Sequence, residues 1–229
     1  TAILSAHQVA ALRMLSAGVI LSPFALRAVR RLPNSSSGWF IFYSGLLGSF
    51  FPAFLFCIAE TRISSSLAGT INAITPLFTL VISALLYKTM VPVPKWVGIF
   101  IGFGGSLLLF AAGSQQSNIH TGYVWFAVLA TLCYGFNVNM VRHRLQLIGS
   151  KDIAAIAFVF LIPPSFLVLW LSQYFQLPLT QPPYLKATAS AILLGVLGTA
   201  IASILFYVLV KKAGIVFSSL VTYGIPFVA

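Results

Sequence analysis

The chain has 229 residues, of which 59% are hydrophobic and only 7% charged. Soluble domains run near 45–50% apolar and about 25% charged, so a soluble globular protein is excluded. Thirteen Lys and Arg against two Asp and Glu give a formal charge of +11, yet these are too few to line a nucleic-acid-binding face among so many apolar runs. With a mean hydropathy of +1.02, the relevant solvent is a lipid bilayer.

A helix needs about 20 mostly apolar residues to cross the hydrocarbon core. By that measure the chain predicts spans at 6–28, 38–59, 63–87, 94–113, 121–142, 152–174 and 187–210, and an eighth that starts near 213 and is cut off at Ala229. The breaks are short: Arg30–Ser37, Glu60–Arg62, Lys88–Pro94, Ser114–His120, His143–Lys151, Gln176–Pro183 and Lys211-Lys212. A transmembrane barrel would instead show alternating strands of about ten residues. The chain opens on Thr1 with no visible signal peptide, so its N-terminus is expected not to be the native one. Cys57 and Cys133 both fall inside apolar runs and point to neither a disulfide framework nor a metal site.

Lys and Arg accumulate in cytoplasmic loops. Alternate breaks carry Arg27, Arg30 and Arg31, then Lys88 and Lys95, then Arg142, Arg144 and Lys151, then Lys211 and Lys212. Those between them carry only Arg62 and Lys186. The segment after the first span is therefore expected on the cytoplasmic side. Arg13 stands apart inside that span, ~10 Å from its outer end at 1.5 Å per residue. Either it snorkels or pairs structurally, or it draws anions to an outer vestibule. Glu60 and Asp152 sit at span ends, which leaves no carboxylate at membrane depth as a proton relay.

Gly45–Thr79 aligns on Gly195–Ala229 without gaps at an offset of 150. The pairs Gly45/Gly195, Leu47/Leu197, Gly48/Gly198, Leu55/Leu205, Phe56/Phe206 and Pro76/Pro226 are identical. Five spans separate the two copies, an odd number, so they are expected to face opposite ways. Inverted repeats of this kind build secondary transporters. The expected fold is an all-α polytopic bundle of two five-helix halves, 1–113 and 114–229, truncated at both ends. The partner of span 121–142 would precede Thr1, and the parent would hold ten spans in roughly 290–300 residues.

Pro76 and Pro226 each remove an N–H and push away the carbonyl four residues back. Those carbonyls belong to Asn72 and Thr222. Each half thus predicts a bent helix with a freed carbonyl beside a polar side chain, either for packing or for substrate. Thr75 and Tyr223 flank these positions, and Tyr134 and Asn137 share a face of span 121–142. Asn139 reads as an interhelical hydrogen-bonding residue, and Tyr207 as either a site residue or an interfacial anchor. Arg13, Asn72, Thr75, Pro76, Tyr134, Asn137, Thr222, Tyr223 and Pro226 are the candidate substrate-binding set. Gly98, Gly102 and Gly105 form a smooth strip for packing within the monomer, with a homodimer as the alternative. His7, His120 and His143 lie at different span ends without metal spacing. Neither a cofactor nor a catalytic motif is indicated.

The Ala10-Ala11-Leu12-Arg13 run resembles the EamA-type branch of the drug/metabolite transporter superfamily. So do the stretch Ala68-Gly69-Thr70-Ile71-Asn72-Ala73-Ile74-Thr75-Pro76-Leu77 and Val97-Gly98-Ile99-Phe100-Ile101-Gly102 followed by Gly104-Gly105. That resemblance implies a ten-helix inner-membrane carrier with cytoplasmic termini and a central cavity, exporting amino acids and related metabolites. One departure stands out. Members often carry a Glu just after the first half's proline helix, where this chain reads Tyr87-Lys88-Thr89. A small-molecule carrier working by alternating access is the expected function. The alternatives are an intramembrane enzyme on lipid-linked substrates, whose constellation the visible spans lack, and a channel or scaffold.

Overall fold

A computed structural model describes residues 3–90, 92–113 and 121–227. The described residues are helical, with no strand among them. Six helices are long and apolar enough to cross a membrane, and Val93–Leu108 is a shorter apolar helix. Large side chains face outward, among them Leu26, Leu85, Ile101 and Trp125. Such apolar exposure would drive aggregation in water and is natural against lipid. The interior is instead built of Ala, Ser, Thr and Asn as much as of Leu and Ile.

Helix α1 (Ala6–Val29) starts on a capping box in which Ser5 and Gln8 satisfy each other's backbone N–H groups. It crosses α8 (Ser150–Leu171) so closely that a Cβ on Gly18 would lie 2.7 Å from the Phe158 carbonyl oxygen. Small residues permit that approach where lipid offers helices no hydrophobic reason to associate. Helix α2 (Ser35–Gly45), capped by Asn34, runs through a π-helical turn at Leu46–Phe50 into α3 (Phe51–Ala59). Helix α9 (Pro182–Gly195) does the same through Val196–Ile201 into α10 (Ala202–Leu220). Both π turns follow a glycine, Gly45 and Gly195, that stands 150 residues from its counterpart. Gly45 packs on Ala157 of α8, and Gly195 on Arg13 and Ser16 of α1.

The expected span 63–87 is two helices, α4 (Ser65–Asn72) and α5 (Thr75–Tyr87). Helix α6 covers Val93–Gly113 and α7 covers Thr121–Arg144, while the break expected at Ser114–His120 lies outside the described residues. The break expected at Lys211-Lys212 falls later. Helix geometry continues past both lysines and fails at Gly214, whose φ of 86° and ψ of 174° suit a residue without Cβ. The apolar stretch Pro182–Gly224 is 43 residues long, about 65 Å if straight and twice the hydrocarbon core. It does not run straight: Phe206 and Thr222, on either side of Gly214, line one cavity, so the chain doubles back there.

Contacts gather the cations of alternate breaks at one end of the bundle. Arg142 donates to the Lys211 carbonyl (2.6 Å), and the Lys211 ammonium donates to the Ile148 carbonyl. Lys151 sits 3.6 Å from the Phe24 ring centroid, and Arg144 5.4 Å from that of Phe40. Tyr87 stacks on His143 at 4.1 Å. The glycine strip of α6 packs within the chain at one position, where the Tyr223 ring occupies the space a Cβ on Gly102 would need.

Candidate functional site

Proline decides where α4 stops. Pro76 has no N–H to offer the Asn72 carbonyl, and the backbone leaves the α-helical pattern at Ala73-Ile74 before α5 resumes. Across this break the Thr75 hydroxyl donates to Asn72 Oδ1 (3.1 Å), and Thr79 donates to the Thr75 carbonyl (2.8 Å). The second proline region behaves alike in its backbone. Helix α10 gives way at Val221 to a 3-10 turn reaching Phe227, with the Thr222 hydroxyl on the Ser219 carbonyl (2.8 Å).

These two breaks meet at one cavity of about 600 Å³. Its polar wall holds Asn72, Thr75, Tyr134, Asn137, Tyr207 and Thr222, and its apolar wall includes Leu205, Phe206 and Val221. Among the described residues no charged side chain lines it. Behind the polar wall Ser44, fully buried, donates to Asn137 Oδ1 at 2.6 Å and lies 3.4 Å from the Tyr207 hydroxyl. A serine hydroxyl has one hydrogen. With that hydrogen on Asn137, the Tyr207 hydroxyl is the donor to Ser44, and the donors run in one direction. Gly48, in the first π turn, makes the arrangement sterically feasible, because the Asn137 amide lies where a Cβ at 48 would be.

Of the nine candidate residues, the cavity therefore assembles Asn72, Thr75, Tyr134, Asn137 and Thr222. Pro76 is buried at the start of α5, and the Pro226 side chain lies outside the described residues. Tyr223 is directed elsewhere: its hydroxyl donates to the Ile99 carbonyl (2.7 Å). Arg13 does not line the cavity. Its Nε and Nη2 both reach Thr199 Oγ1 at 3.4 Å, in the second π turn, which is pairing rather than snorkelling. Near it, just beyond α3, partial burial raises the Glu60 carboxyl above its ordinary pKa while the Arg13 charge pulls it back down. Asn139 donates to the carbonyls of Thr79 (2.8 Å) and Gly135 (2.9 Å), tying α7 to α5. Sequence reasoning left Tyr207 between two roles and gave Ser44 none. A hydroxyl immediately before a repeated Gly-x-x-Gly, inside an otherwise apolar run, was the available signal.

Residues 2–111 match the EamA-like transporter family. Over that stretch, just under half of its length, the chain is similar to that family. An uncharacterized transporter of Bacillus subtilis (strain 168), YdfC, is 34% identical over 108 residues, which is 47% of this chain. The chain spans only 35% of that relative's length. A crystal structure of a protein superimposes with a TM-score of 0.69 over 97% of this chain and 76% of its own, at 18% identity, so it shares the fold. With its membrane-length helices, the chain is that of a multi-pass membrane protein similar to EamA-like transporters.

Proposed function

We propose that the chain belongs to an inner-membrane carrier that exports small metabolites such as amino acids by alternating access. It is read as two inverted five-helix halves, 1–113 and 114–229, with the cation-rich end in the cytoplasm. The observation that carries this is the uncharged cavity, to which both proline breaks, 150 residues apart in sequence, contribute polar residues. Broken helices meeting at a site between repeats are what a carrier needs, because the site can be exposed first from one half and then from the other. The matching π turns after Gly45 and Gly195 support the same reading, since they repeat a local backbone state at the same offset.

Counterflow of labelled amino acids and related metabolites, in proteoliposomes holding the full-length protein, tests the function. A carrier accumulates label transiently against an unlabelled internal pool; simple equilibration refutes the proposal in favour of a channel. Membrane-impermeant labelling of single cysteines at positions 62 and 212 tests the inversion. They are expected on opposite faces, and labelling from one face would end the repeat argument.

A further inference from the structure

The two carboxamides of the cavity are treated alike by their neighbours. Ser44 covers Asn137 Oδ1 from one side of the site, and Thr75 covers Asn72 Oδ1 from another. An amide has one acceptor end and one donor end. When a hydroxyl occupies the oxygen, the end left for a ligand is NH2. Among the described residues the Asn72 amide nitrogen has no protein acceptor, and that of Asn137 has the Tyr207 hydroxyl alone, which leaves it one hydrogen for a ligand. In the structure Ser44 donates to the Asn137 oxygen, and with that hydrogen spent the Tyr207 hydroxyl donates to Ser44, which leaves the NH2 end for the cavity. Tyr134, stacked on Phe56, adds its hydroxyl to the wall.

We infer that the cavity is a donor site for a carboxylate, held by the amide nitrogens of Asn72 and Asn137, and that it selects monocarboxylic solutes with an uncharged apolar body over organic cations. This rests on the carrier reading and narrows its substrates from metabolites such as amino acids to those whose one charge is a carboxylate. The body of such a solute would lie against Leu205, Phe206 and Val221, where no charged side chain is available to a second ionic group. A cation would meet two NH2 groups and no carboxylate. Neutral donors accept an anion with charge-assisted hydrogen bonds, stronger than those to an uncharged amide.

The test uses three probes that share one body and differ in head group: 3-phenylpropanoate, 3-phenylpropanamide and 2-phenylethylammonium. Binding to the purified full-length protein in detergent is read by calorimetry. The carboxylate is expected to bind about tenfold or more tightly than the ammonium, the range of one or two hydrogen bonds to a charged group. Asn137→Asp and Asn72→Asp, which keep the shape and replace NH2 by an acceptor, should each weaken the carboxylate about tenfold and favour the ammonium. Ser44→Ala should shrink the preference without abolishing ammonium binding, which marks it as a positioning residue. Equal or tighter binding of the ammonium, an unmoved ratio in the Asp variants, or no binding of the carboxylate would each overturn the inference. If an Asp variant does not fold, the wild-type ratio decides. Failure of counterflow with the head-group preference intact would instead strike the carrier reading alone.

Discussion

Gly48→Ala is the smallest change that reaches the core of the site. The new methyl must occupy the space of the Asn137 amide, so either the π turn at Leu46–Phe50 shifts or the amide swings away. Overpacking costs about 1–3 kcal/mol, and losing the 2.6 Å bond from Ser44 to Asn137 adds about 1 kcal/mol. At about 2–4 °C per kcal/mol for a chain of this size, the melting temperature in detergent should fall by about 4–16 °C. Gly104→Ala is the control, since no atom lies within 4 Å of a Cβ there. In Gly48→Ala/Asn137→Ala the second substitution vacates the space the first requires. The double variant should therefore melt above the sum of the two single losses, by about 1–3 kcal/mol of coupling. Solute exchange should stay lost, because the amide is gone. Wild-type melting of Gly48→Ala, or strict additivity in the double variant, would refute the steric account.

Asn139→Ala removes the donor shared by the Thr79 and Gly135 carbonyls. It is expected to cost about 1 kcal/mol in thermal melts, in line with interhelical bonds in membranes, and to leave the ranking of bound solutes unchanged. Ser165→Ala deletes a buried hydroxyl without a partner among the described residues. Its melting temperature should stay level or rise slightly, since an unsatisfied buried polar group costs about 1–3 kcal/mol; a clear loss would reveal an unseen partner such as water.

The sequence carried the fold where one residue type enforces a backbone event. Pro76 has no N–H, and α4 ends just before it. Ser5, Asn34 and Ser64 are polar residues before apolar runs, and each caps a helix. Charge was a poorer guide to the end of α10, because Lys211 and Lys212 keep helical geometry, with the Lys211 ammonium on the Ile148 carbonyl, and Gly214 makes the turn. The π turns were invisible to hydropathy, which registers which face is apolar and not the one-residue slip in hydrogen bonding. The same limit hid part of the site. Tyr207 sits near the inner end of its span by count, but the π turn behind it and its bond to Ser44 place it inside, 2% exposed.

Carboxamides in place of a lysine or arginine have a consequence for turnover. A carrier must release what it binds, and a buried ion pair holds an anion in a medium where breaking it costs about 3–5 kcal/mol. Hydrogen bonds from neutral donors to a carboxylate contribute about 1.5–3 kcal/mol each, enough to choose a head group and little enough to let it go. Asn137→Lys should therefore separate affinity from rate. Its ammonium would stand in the uncharged cavity facing the same bound carboxylate, lowering the half-saturating concentration of a monocarboxylate in counterflow. The maximal exchange rate should fall with it, because the loaded site now leaves its ion pair on every cycle. A variant that gained both affinity and maximal rate would show that release from this cavity does not limit exchange, and that the neutrality of its walls serves some other end.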